Sequence, residues 1–167
     1  VVGLNAPREL SRKISKVGLE GLSPQERALL PERLDLDDEA HRQWFAQMFL
    51  AHGAMSVQDQ EAFERFYQAQ VSWDETMAHR AWEAMQTRSA KDQMVIVAGA
   101  GHVMRGWGIP SRIVRRLETP DASEQVVTLL PVSAQGAQTD LLAPTGATEE
   151  ELEAWSTNEH ADYIWVE

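Results

Sequence analysis

Met94-Val95-Ile96-Val97-Ala98-Gly99-Ala100-Gly101-His102 is the stretch on which the first reading of this chain turns. An apolar, β-branched run of this length reads as a buried strand. It ends in Gly99 and Gly101, which let backbone approach a ligand closely. His102 follows at once, a side chain able to bind metal or move a proton near neutral pH. Open α/β sheets hold their ligands in the crevice beyond the carboxyl ends of the strands. This reading therefore sets His102 where such folds carry their function.

Three more segments read as strands: 1–4, 124–130 and a final one at Tyr163-Ile164-Trp165-Val166. Four strands separated by helices predict an α/β fold, a mainly parallel sheet flanked by helices. Four is few for such a sheet, and the chain opens directly on a strand-like segment. The expectation is an incomplete domain, truncated on its amino-terminal side.

Helix signals fill the intervals. Asn5 is a plausible N-cap with Pro7 in the first turn, and the helix it opens runs to about Lys16 and stops near Gly18. Ser23-Pro24-Gln25-Glu26 is a capping-box pattern for a short helix that Pro31 ends. Asp37 or Asp38 opens a third helix, running to about Ala51 and closed by Gly53. Pro110 starts a helix of about two turns. Residues 133–147 hold the Gly, Pro, Ser, Gln and Thr of a long loop, and a short acidic helix at 148–155 follows.

The longest helical pattern spans 57–86. At 100° per residue, Phe63, Tyr67, Gln70, Asp74, Met77 and Ala81 share one stripe. Gln70 and Asp74 thus stand in the middle of an apolar face, where a carboxylate must find partners or be neutralised. Two readings fit. The pair satisfies loop backbone as core polar groups, or it faces the same pocket as His102. In the second case Asp74 would fix the tautomer of the imidazole.

Composition narrows the function classes. The chain has 167 residues, 43% of them hydrophobic, enough for one domain with a core. Acids outnumber bases 26 to 15, for a net charge of -11. A nucleic-acid groove needs a basic surface, so no nucleic acid is expected as a partner. No apolar run approaches the roughly 20 residues of a membrane span. With no cysteine there is no disulfide framework and no thiolate chemistry. Arg105, Arg112, Arg115 and Arg116 follow the His102 loop as either a solvated helix face or a cationic rim for an anionic ligand.

Several chemistries lack their motifs. Met104 stands where the third glycine of a dinucleotide fingerprint belongs, and no P-loop is present. His41, His52, His79, His102 and His160 are scattered without zinc-site spacing. No G-x-S-x-G elbow marks a serine hydrolase. Tyr67, Met77 and Met104 are residue types that can ligate iron, or simply core.

Four segments carry a resemblance: Asn5-Ala6-Pro7-Arg8-Glu9, Phe66-Tyr67-Gln68-Ala69-Gln70, Trp73-Asp74-Glu75-Thr76-Met77-Ala78, and Ala98-Gly99-Ala100-Gly101-His102-Val103 continued by Gly108-Ile109-Pro110-Ser111-Arg112. Ala161-Asp162-Tyr163-Ile164-Trp165 adds to them. Together they resemble the ChaN-like haem-binding uptake family of the Tiki superfamily, over most of the chain. That superfamily has two G-x-x-H motifs, and this chain carries only the later, Gly99 to His102. The resemblance implies that residues 1–167 are the carboxyl-terminal portion of a single ChaN-like domain, whose missing amino-terminal half is a partner.

It further implies haem as ligand in iron uptake, in a bacterial cell envelope as a lipoprotein or periplasmic protein, with a pocket that two protomers of a homodimer could share. Haem wants apolar and aromatic side chains for its ring, an axial ligand and cations for its propionates. The implied ligand-binding set is Asn5, Arg8, Tyr67, Gln70, Asp74, Met77, Gly99, Gly101, His102 and Arg105, with His102 or Tyr67 on the metal. The alternative within the superfamily is a metal-dependent hydrolase using a divalent metal, with His102 as its catalytic candidate. A scaffold whose function lies elsewhere is the third reading.

Overall fold

The computed structural model describes residues 1–51, 60–89, 91–132 and 161–166. Their architecture is helical and is organised on one long helix. In chain order the helices are α1 (Arg8–Val17), α2 (Pro24–Arg27), α3 (Glu39–Ala51), α4 (Gln60–Gln86) and α5 (Ile109–Leu117). Two strands follow, β1 (Leu129–Val132) and β2 (Tyr163–Val166), paired in parallel with Leu129 opposite Tyr163. The long loop and acidic helix expected over 133–160, His52, Gly53 and His160 lie outside the described residues.

The expected sheet flanked by helices is overturned: among the described residues β1 and β2 form the only strand pair. Segment 93–98 shows why. It alternates as a strand should, with Ile96 and Ala98 packed toward α4 and α5 while Val95 and Val97 are 88% and 93% exposed. It forms no backbone ladder, and neither does segment 1–4. An apolar run dictates extended backbone, but a strand also needs a neighbour to exchange N–H and C=O bonds with. The third expected strand is shorter and later than 124–130, because 122–125 turns as a 3₁₀ segment before β1 begins.

Local signals held better. Gly18 at φ 72° closes α1 in the left-handed region that suits glycine. The capping box of α2 forms in both directions: Ser23 N–H donates to Glu26 and Glu26 N–H to Ser23 Oγ. Lys13 pairs with the same carboxylate at 2.7 Å, and these bonds hold Glu26 down at about 2. Asp38 Oδ1 accepts the His41 amide at 3.0 Å and caps α3.

α4 is buried on more than its predicted stripe. Leu10 and Ile14 of α1, with Leu30, pack against Ala69. Met77 and Ala78 meet Ile109 of α5, backed by Leu4, Ile96 and Ala98. Met104 and Leu130 make a third cluster with Trp44. The helix therefore runs between α1 and α5, and its middle turns carry polar groups to both sides.

Candidate functional site

One of those polar groups is Asp74, fully buried at the centre of α4. The 99–102 turn brings His102 onto it, with Nδ1 at 2.5 Å from Asp74 Oδ1. A carboxylate only accepts, so the imidazole donates from Nδ1. In the neutral ring Nε2 then keeps its lone pair, free for a metal or a proton. Gln70, one turn before Asp74, donates to Asp74 Oδ2 at 3.2 Å, and its amide nitrogen lies 3.0 Å from His102 Nδ1. The three residues singled out from the sequence thus form one cluster, and the 16% exposure of the His102 side chain leaves the ring reachable.

Two glycines behave differently from expectation. A Cβ on Gly101 would meet nothing within 4 Å, and one on Gly99 would reach only ordinary contact with His102 Cδ2 at 3.8 Å. The position that cannot carry a side chain is Gly108, where a Cβ would stand 2.1 Å from the His102 carbonyl oxygen. Gly108 is the close approach that seats the histidine turn against the start of α5.

Beside the cluster lies a groove of about 540 Å³ between α1 and the α3–α4 pair. Phe45, Phe66 and Trp73 form its apolar wall, and Asn5, Arg8 and Arg12 stand along α1 and its lead-in. Gln70 also lines it. Trp73 packs against His102 in a T-shaped contact, with ring centroids 5.0 Å apart. Asn5 does not cap α1, since Pro7 holds that position. Its Oδ1 instead accepts from Trp73 Nε1 at 3.4 Å, and its carbonyl accepts from Arg80, which ties the lead-in to α4. The volume falls inside the roughly 300–1,000 Å³ usual for small-molecule pockets.

The remaining sequence candidates sit elsewhere. Tyr67 is fully buried, its hydroxyl donates to the Asp38 carbonyl at 3.2 Å, and burial pushes its phenol up to about 12. A phenol so placed resists becoming the phenolate an iron would want. Met77 is 3% exposed within the α4–α5 core. Arg105 turns through φ 56° and lays its guanidinium over Trp107, 5.2 Å from the ring centroid.

The other arginines of that run are neither a solvated face nor a rim. Arg115 and Arg116 donate to the two oxygens of Glu75 at 2.7 and 2.5 Å, and Arg112 Nε lies 3.4 Å away. Glu75 is 1% exposed and also accepts the Asp35 amide at 3.2 Å, while Arg115 pairs with the Asp35 side chain. This buried cluster fastens α5 to α4 behind the His102 turn.

Sequence reasoning also passed over His41. It is fully buried against Trp44 and Tyr67, with Nδ1 3.5 Å from an Arg112 nitrogen. Burial first, and the Arg112 charge second, push its imidazole below the ordinary range. Only its place near the start of an amphipathic helix could have marked it.

The family model for haem-binding uptake proteins of the ChaN type, in the Tiki superfamily, matches residues 1–113. This chain belongs to the ChaN-like haem-binding uptake family. The matched stretch holds every residue lining the groove, the Asp74–His102 pair and Gly108, and stops inside α5, before the strand pair. No curated protein and no solved structure matches the chain.

Chemically, a buried carboxylate behind an imidazole with an open Nε2 can serve as a nitrogen ligand or as a general base. Among the described residues no three His, Asp or Glu side chains gather into a group that could hold a metal ion. The donor set fits a group that brings most of its own coordination, as a porphyrin does, better than a bare divalent ion.

Proposed function

We propose that this protein binds haem in the groove between α1 and the α3–α4 pair, with His102 Nε2 as the nitrogen offered to the iron. The observation that carries this is the 2.5 Å bond from His102 Nδ1 to buried Asp74, which leaves Nε2 as the ring's lone-pair nitrogen, while Gln70 and Trp73, both against His102, line the groove together with Phe45 and Phe66. Family membership supports the ligand class. Phe45, Phe66 and Trp73 would take the ring, and Asp74, itself bonded by Gln70, holds the histidine in one orientation. The iron would supply the site's colour and redox chemistry. The chain's own part is to bind and orient.

Haem uptake is work of the cell envelope, and we place this protein there, as a lipoprotein or periplasmic protein. Among the described residues no helix is long and apolar enough to cross a membrane. A haemin titration followed by absorbance tests the proposal. Saturable binding with a Soret shift, weakened at least tenfold by His102→Ala, is expected. Binding of equal affinity and spectrum in His102→Ala would overturn the assignment of His102.

A further inference from the structure

The sign of charge in the groove runs against the rest of the chain. Acids outnumber bases 26 to 15 overall, yet among the described residues no aspartate or glutamate lines the groove, and two arginines do. Arg8 and Arg12 are one turn apart on α1, with Ser11 and Ser15 on the same stripe, so one face of the helix looks into the groove. The opposite face carries Leu10 and Ile14 into the core and fixes that orientation.

Most other arginines of the described residues are engaged. Arg42 pairs with Glu64, Arg80 with the Asn5 carbonyl, Arg105 with Trp107, and Arg112, Arg115 and Arg116 with Glu75. The guanidinium groups of Arg8 and Arg12 have no hydrogen bond or ion pair among the described residues, although Glu9 stands between them in sequence; at Arg12 it is the backbone carbonyl that accepts from Ser15 Oγ. Guanidinium groups match carboxylates in planar, two-point fashion. Opposite them stand Phe66 and Trp73, a surface for a flat apolar body.

We infer that Arg8 and Arg12 form the carboxylate clamp of this groove, so that its ligand is a flat apolar molecule whose carboxylates lie at the α1 edge. This rests on the haem reading and deepens it, because it assigns the polar edge of the ligand to α1 and not to Arg105. The clamp acts on the carboxylates whatever stands at the centre of the ring.

Three ligands separate the two ideas: haemin, haemin dimethyl ester and metal-free protoporphyrin, each titrated by tryptophan quenching and absorbance. The proteins are the wild type, Arg8→Gln/Arg12→Gln and His102→Ala. Arg8 and Arg12 are exposed, so their replacement leaves the fold intact, as a circular-dichroism melt would show. The double variant is expected to lose at least tenfold in affinity for haemin and for protoporphyrin, and nothing for the ester. Equal binding of haemin and ester by the wild type, with an unaffected double variant, overturns the clamp and leaves the haem reading standing. Arginine-dependent protoporphyrin binding that haemin does not exceed upholds the clamp and overturns iron ligation by His102. A wild type that binds none of the three overturns both.

Discussion

Replacing Asp74 by Asn tests the support behind His102 with almost no change of volume. Asp74 is fully buried, and its carboxylate accepts from His102 Nδ1 at 2.5 Å and from Gln70 at 3.2 Å. A hydrogen bond to a charged group contributes about 1.5–3 kcal/mol, a neutral one about 0.5–1.5. The amide also has one acceptor where the carboxylate has two. If Asn oxygen takes the His102 proton, its NH₂ faces the Gln70 NH₂, donor against donor. The expected loss in holding His102 is therefore about 1.5–2.5 kcal/mol, or roughly 10- to 60-fold in affinity for haemin. That falls within the 10–100-fold usual when a residue orienting a metal-bound histidine is changed. A Soret titration of wild type and variant side by side measures it, with a urea unfolding curve to confirm that the variant is folded. Undiminished affinity in a folded Asp74→Asn protein would refute the claim that Asp74 orients His102.

Other consequences follow from the same geometry. Gly108→Ala forces a methyl to within 2.1 Å of the His102 carbonyl, so the turn must move; a loss of about 1–3 kcal/mol in stability and a weaker haemin complex are expected in urea and absorbance titrations. Glu75→Gln leaves Arg112, Arg115 and Arg116 without their shared charge, and breaking so buried a pair costs about 3–5 kcal/mol. With a urea slope of about 2 kcal/mol per molar, the unfolding midpoint should fall by about 2 M. Burial makes folded His41 harder to protonate than its unfolded counterpart, which takes a proton near 6.5, so the stability present above that pH declines as pH falls below it. The urea midpoint should drop between about pH 7 and pH 5, and less steeply in His41→Phe.

The candidate site was more legible than the fold. Phe63, Tyr67, Gln70, Asp74, Met77 and Ala81 could be placed on one stripe because a helix is a local object with a fixed angular step. Two polar residues on an apolar stripe then required partners, and Asp74 found His102. The sheet failed for the opposite reason. Residues 93–98 read as a buried strand, yet Val95 and Val97 are exposed and only Ile96 and Ala98 pack inward, because pairing depends on backbone elsewhere in the chain, which no local pattern records.

The same distance effect hid the buried charges. Arg112, Arg115 and Arg116 share a face of α5, and nothing in their spacing announces Glu75, about 40 residues earlier and one position off the predicted stripe. Nothing in the sequence marks Gly108 above the other glycines, since close approach is visible only in three dimensions. Arg12 escaped because α1 was read for its caps and not for its second face.

The central claim is that His102 presents Nε2 to the ligand of this groove. Haemin spectra of the wild type and of His102→Gly, without and with free imidazole, test it most directly. The account predicts that the variant loses the wild-type Soret position and that added imidazole restores it. A His102→Gly complex with the wild-type spectrum and affinity, indifferent to imidazole, would contradict it.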